Sequence, residues 1–241
     1  MLDMKKRKVD LMFDPSTQTS DYMSVIVTHE CNRKCPFCID KQCGQHGMIS
    51  MASIEKAIRF GKEHGIRDIL LVGGEPTLHP EIQTIAQRFS LNGFKVILTS
   101  NFDDLNKIYD LDPYVDCFNM SNYGQQLPDF SKIQHADLTL STLIYKHQLS
   151  TREALDEFID RLESLPIALK FSTLSLCNDF TKNEQEVNYL DELPGERLVL
   201  FDEILGQIYR GQLIKRYDRV VNPNAAQSYK CHPDGTIDRE W

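Results

Sequence analysis

The chain has 241 residues, 41% hydrophobic and 26% charged, which suits one globular domain with a sizeable core. A formal net charge of -8 argues against a nucleic-acid-binding surface, although a nucleotide could still serve as a small substrate. No run of eighteen apolar residues occurs, so no membrane-spanning helix is expected, and the charged start MLDMKKRKVDLMFDPSTQTSD lacks the apolar stretch of a secretory signal.

Seven cysteines, three of them clustered, fit metal binding better than a disulfide framework, and the expected compartment is the cytoplasm. The basic run KKRK at 5–8 reads as part of a solvated tail.

In chain order, the β-rich run YMSVIVT (22–28) is the first strand. SMASIEKAIRFGKEHG (50–65) places Ile54, Ala57, Ile58 and Gly61 on one helical face and ends at a Gly65 cap. IRDILLV (66–72) is a buried strand, and HPEIQTIAQRFSLNG (79–93) a helix with Pro80 near its start and Gly93 past its end. The strand FKVILTS, a short helix near 103–111, and the strand VDCFNMS (115–121) continue the alternation. ADLTLSTLIY (136–145), a helix over REALDEFIDRLES (152–164) and the strand IALKFSTLSLC (167–177) follow. The segment RLVLFDEILGQIYRG (197–211) is expected to supply the sixth helix.

Alternation of this kind predicts an α/β fold with a parallel sheet: a partial (β/α)6 TIM-like barrel, laterally open because eight units would be needed to close it. The expected organisation is an N-terminal tail (1–21), a barrel domain (22–212) and a C-terminal extension (213–241). In that extension, SYKCHPDGTIDREW (228–241) carries an Asp-Gly pair typical of a tight β-hairpin, expected to close the barrel base or cover the substrate. Its single Cys231 cannot build an auxiliary cluster.

Ligands of such folds bind at the C-terminal ends of the strands. Two features fall there: CNRKCPFC (31–38) after the first strand and GGEP (73–76) after the second. Three cysteines with one open position could serve a metal that chelates a small molecule. They could also serve a zinc site completed by Cys43, His29 or His46. GGEP taken alone is also an ordinary turn sequence.

Together, Cys31-x3-Cys35-x2-Cys38 with Phe37 just before the last cysteine, and GGEP after the next strand, resemble the radical S-adenosylmethionine (radical SAM) superfamily over roughly residues 22–180. The resemblance implies that Cys31, Cys35 and Cys38 bind three irons of a [4Fe–4S] cluster and leave the fourth for S-adenosyl-L-methionine. An electron, from a donor such as flavodoxin or ferredoxin, then breaks a sulfur–carbon bond to yield a 5′-deoxyadenosyl radical that abstracts hydrogen from substrate.

The resemblance further places Phe37, Gly73, Gly74, Glu75 and Pro76 at the cofactor. Gly74 is the expected direct contact through its backbone and Glu75 the more structural member. On this reading, Gly74→Val weakens cofactor binding and spares the cluster. It also places Ser121 against S-adenosylmethionine, Thr99 and Asn101 of LTSN (98–101) towards the substrate, and Leu174 to Leu176 beside the adenine.

Substrate-side candidates are Tyr145, Lys146 and His147, with Cys177, Asn178 and Asp179 after the sixth strand. Cys177 is a candidate hydrogen-atom donor or a buried structural thiol; Cys117 reads as core. The substrate is then a small molecule, a nucleotide or a peptide. Alternatives are a glycyl-radical enzyme activase and, in another class, a zinc-binding or electron-transfer module.

Overall fold

The computed structural model describes residues 22–38, 47–175, 179–184, 187–195, 197–200, 203–216 and 228–239, without the side chains of 198–200 and 203–205. Six parallel strands stand in sequence order: β1 (Tyr22–Thr28), β2 (Asp68–Gly73), β3 (Lys95–Ser100), β4 (Cys117–Asn122), β5 (Asp137–Ile144) and β6 (Ala168–Thr173). The crossovers carry α1 (Met51–Glu63), α2 (Ile82–Leu91), α3 (Leu105–Leu111) and α4 (Arg152–Leu162), and α5 (Asp179–Glu184) follows β6. Between β4 and β5 the connection is a loop with one 3-10 turn at Phe130–Lys132. This is the laterally open TIM-like partial barrel expected from the sequence.

The pleat sorts residues by face. On the helix side, Val25, Val27, Ile69, Leu71, Val96, Leu98, Phe118, Met120, Leu138, Leu140, Leu169 and Phe171 are buried and form the core with Ile54, Ala57, Ile85 and Phe89. Each such large side chain contributes about 1.5–3 kcal/mol by leaving water. The helix ends are set locally. Ser50 caps α1 by accepting the Ser53 N–H at 3.1 Å, Asp104 caps α3 from Lys107, and Thr151 caps α4 from Ala154. Gly65, with φ at 66°, ends the α1 turn in the left-handed region.

Residues of opposite pleat face the lumen, and from β3 onward these are mostly polar: Thr99, Asn119, Ser121, Thr139, Ser141, Lys170 and Ser172.

Two expectations about the C-terminal third are corrected. The described residues of 197–211 contain no helix; β7 (Arg197–Leu200) and β8 (Glu203–Tyr209) pair antiparallel. β9 (Gln212–Lys215) then runs antiparallel to β8 and parallel to β6. The free edge of β6 offers unpaired backbone groups, and satisfying that ladder outweighs the helical periodicity of an isolated segment. The expected boundary at 212/213 therefore falls inside a strand of the same sheet.

The tail does form a hairpin, β10 (Tyr229–Cys231) and β11 (Ile237–Asp238), but it adds to the outer edge of β1 rather than closing the base or covering a substrate. Lys56 Nζ of α1 donates to the Gly235 carbonyl at 2.8 Å and pins it there. The complete order is β11-β10-β1-β2-β3-β4-β5-β6-β9-β8-β7. No described helix is long and apolar enough to cross a membrane.

Candidate active site

The loop that leaves β1 is closed at its base by backbone bonds on two sides. Towards the returning chain, His29 N–H donates to Gly47 O at 3.1 Å, and Ile49 N–H to Val27 O at 2.9 Å. Towards β2, Gly74 N–H donates to Thr28 O at 2.7 Å and Glu75 N–H to Glu30 O at 2.8 Å. Gly73 sits at φ 137°, where an L side chain is strained, and a Cβ there would overlap the Thr28 carbonyl. A Cβ on Gly74 would overlap the carbonyls of Glu30 and His29. The two glycines are needed first for packing GGEP against the root of the cysteine loop.

Glu75 is 1% exposed and its carboxylate is saturated from inside the protein. One oxygen accepts from Thr77 N–H (3.1 Å), Thr77 Oγ1 (2.8 Å) and Ser100 Oγ (2.8 Å); the other accepts from Asn101 N–H at 2.8 Å. It ties the ends of β2 and β3 together and leads into the 3-10 turn that Pro76 starts.

A second tether holds the cysteine segment itself. Arg33 grips Asp103 through Nε at 2.8 Å and through a shorter bond from its terminal nitrogen. Asn32 Nδ2 donates to the same carboxylate at 3.1 Å, and Asn101 Nδ2 donates to Asn32 Oδ1 at 2.7 Å. The Arg33 hydrogen bond is the main cause holding the Asp103 carboxyl below its usual range, and Arg33 is raised in turn. Asn101, expected to face the substrate, instead grips the cysteine loop.

Cys31, Cys35 and Cys38 are all free thiols, Cys31 exposed and the other two half-buried. Cys38 N–H donates to Cys35 O at 3.3 Å, and the Cys31 sulfur accepts the Arg33 N–H at 3.4 Å. Among the described residues, no three metal-ligating side chains are yet drawn together around one point. The donor set nevertheless fits an iron–sulfur cluster: three free thiols within eight residues and a guanidinium close enough to feel Cys35, which favours a thiolate.

Phe37 carries the cysteine loop over the barrel mouth. Its ring lies 5.0 Å from Tyr123, 6.0 Å from Tyr145 and 6.5 Å from Phe180, centroid to centroid. The cluster joins the loops after β1, β4 and β5 and the start of α5. Ser121 lies at the end of β4, where its carbonyl accepts from Gln125 Nε2 at 2.8 Å. Burial first, then the Cys35 and Glu184 charges, raises the Tyr145 hydroxyl above its ordinary value. Lys146 and His147 meet Glu184 at 3.4 and 2.9 Å.

Below the mouth, Asn119 Nδ2 donates to Thr99 Oγ1 at 3.2 Å, and Ser141 Oγ donates to Asn119 Oδ1 at 2.8 Å. This polar chain spans β3, β4 and β5. Cys117 is not a core residue: it is half-buried on the lumen side, 3.7 Å from Thr139 Oγ1. Asp179 begins α5 and Leu174 is buried, whereas Leu176, Cys177, Asn178, Cys43 and His46 lie outside the described residues.

Sequence reasoning missed Asn32, Arg33, Asp103, Tyr123 and Phe180. Arg33 and Asp103 are 70 residues apart, and no local periodicity links them.

Comparison with known proteins agrees with this geometry. The family model of the radical SAM superfamily matches residues 25–119, which contain both the cysteine loop and GGEP. A probable GTP 3′,8-cyclase of Sulfurisphaera tokodaii is 33% identical over 184 residues, 76% of this chain and 53% of that protein. A GTP 3′,8-cyclase of Campylobacter fetus is 24% identical over 196 residues, 78% of this chain and 56% of that protein. The chain thus spans about half the length of these two curated relatives. In fold, it superposes on Streptococcus suis SuiB, solved with its precursor peptide SuiA, with a TM-score of 0.56. That match has 16% identity and covers 70% of this chain and 43% of SuiB. Three thiols at these spacings, a glycine pair locked to their loop, a partial barrel beneath and the family match converge on one assignment: the chain belongs to the radical SAM superfamily.

Proposed function

We propose that this radical SAM enzyme holds its [4Fe–4S] cluster on Cys31, Cys35 and Cys38, binds S-adenosylmethionine beside GGEP, and takes a hydrogen atom from a nucleotide-type substrate in the barrel lumen. The observation that carries the reading is the juxtaposition of the cysteine loop with a polar lumen under an aromatic mouth. When bound, the two cofactors supply one-electron cleavage of a sulfur–carbon bond and hence a carbon radical able to abstract hydrogen.

The chain's own residues do the rest. Arg33 and Asn32, anchored on Asp103, orient the cysteine segment. Gly73 and Gly74 bring the β2 loop against it, so the carbonyls of that loop stand where an ammonium group could be received. Phe37, Tyr123 and Tyr145 shield the mouth from water, and Ser121 stands at the cofactor end of β4. A nucleotide is favoured over a peptide because the curated relatives above are named for GTP. None of those relatives is an activase, and that alternative is set aside together with a zinc module.

The test is anaerobic reconstitution followed by reduction in the presence of S-adenosylmethionine. About four irons per chain and release of 5′-deoxyadenosine are expected, and Cys31→Ala, Cys35→Ala and Cys38→Ala should each lose both. Full activity in any of the three overturns the ligand assignment. With ring- and ribose-deuterated nucleotides, deuterium should appear in 5′-deoxyadenosine; its absence with every nucleotide overturns the substrate class.

A further inference from the structure

The chain has an excess of acids, 35 against 27 lysines and arginines, and basic groups around the barrel take up carboxylates. Arg33 pairs with Asp103, Lys146 with Glu184, Arg210 with Asp156 and Arg216 with Asp191. Lys170 and Lys215 are different. Lys170 lies mid-strand in β6, between the buried helix-side residues Leu169 and Phe171, so its side chain takes the lumen face. It is in register with Ser141 of β5 and Leu213 of β9; one pleat on, Ser172 is in register with Lys215. Two amines thus share one wall of the lumen, beside the hydroxyls of Ser141 and Ser172. Among the described residues no carboxylate accompanies them. Burial and then Lys215 push the Lys170 amine down to about 8, with the Cys117 thiol the opposing influence.

Two half-buried ammonium groups in mutual repulsion are costly, and an acid in place of Ser141 or Ser172 would relieve them. Leaving the wall uncompensated makes sense if the ligand brings the negative charge. A carboxylate neutralises one amine. A phosphate monoester carries about −1.5 to −2 near neutral pH and offers three acceptor oxygens, which matches two amines and two hydroxyls. Lysine serves this role as a point charge that needs no planar partner.

We propose that Lys170 and Lys215, with Ser141 and Ser172, form a phosphate-binding subsite in the barrel lumen that holds the phosphorylated end of the substrate. The proposal rests on the lumen being the substrate cavity, and it identifies the substrate class as phosphorylated.

The test is calorimetric titration of the full chain with inorganic phosphate, pyrophosphate and malonate, which needs neither cluster nor turnover. Phosphate or pyrophosphate should bind the wild type, and Lys170→Met and Lys215→Met should each weaken that binding at least tenfold. Lys132→Met, which removes an exposed amine lying over the Tyr109 ring, should change it less than twofold. Equal phosphate affinity in wild type and both lumen variants overturns the subsite, and malonate binding tighter than phosphate overturns the phosphate assignment. If a variant fails to fold, lysine-detected NMR on the wild type decides: the Lys170 titration should move upward with phosphate, and an unmoved titration overturns the proposal. Failure here leaves iron content and S-adenosylmethionine cleavage intact, so it is distinguishable from failure of the radical reading.

Discussion

Gly74 donates its backbone N–H to the Thr28 carbonyl at 2.7 Å, and any Cβ on it would overlap the Glu30 carbonyl one residue before Cys31. The motif expected at the cofactor is also a splint for the cysteine loop. Gly74→Val should therefore lose iron as well as cofactor affinity, where the sequence alone led to the expectation that iron content survives. Reconstituted Gly74→Val should hold less than half the wild-type iron by colorimetric assay. A full iron complement with weakened S-adenosylmethionine binding would restore the simpler view.

Glu75 accepts four hydrogen bonds with no exposed surface to speak of. Glu75→Gln turns one acceptor oxygen into an NH₂ facing donors. The expected loss is about 1–3 kcal/mol of folding stability, read from urea denaturation of the apo chain. A midpoint within error of wild type would show that the site relaxes around the amide.

Asp103 anchors both Asn32 and Arg33 from outside the cysteine motif. Asp103→Ala should leave the barrel folded by circular dichroism while slowing cluster assembly and hastening cluster loss in air several-fold. The Asp103 carboxyl is held low mainly by the Arg33 hydrogen bond. Its contribution is thus present above the ordinary carboxylate range and fades as pH falls through the lowered value. Wild-type and Asp103→Ala cluster lifetimes should differ at pH 7 and converge as pH falls below the ordinary carboxylate range. Identical lifetimes at pH 7 would remove Asp103 from the scaffold.

Lys170 gives a stability prediction opposite in sign to its binding role. Its folded value of about 8 lies below the ordinary 10.5. Between those values the unfolded chain holds more protons, so stability rises with pH there, and the full cost of the charge is felt below about 8. Lys170→Met should therefore melt higher than wild type at pH 7, by about 2–4 °C for each 1 kcal/mol recovered. The gain should shrink through pH 9 and vanish above 10.5. A lower melting temperature at pH 7 would mean that the lumen wall depends on the lysine stem for packing.

The alternation of apolar runs along 22–173 determined the parallel barrel, because a strand buried on its helix face and a helix with one apolar stripe each leave a local periodic record. The spacing of Cys31, Cys35 and Cys38 and the glycines of GGEP were equally legible, since one loop supplies each constellation. What the sequence left open needed long-range pairing. Residues 197–211 read as helix in isolation, yet their described part forms β7 and β8, which extend the sheet outward from β9 on the edge of β6. Cys117 read as core because it lies mid-strand, yet the pleat turned it into the lumen. Arg33 met Asp103, and Lys170 met Lys215, only once strands distant in sequence were set in register. Contacts of that kind depend on tertiary closure, which no window of neighbouring residues encodes.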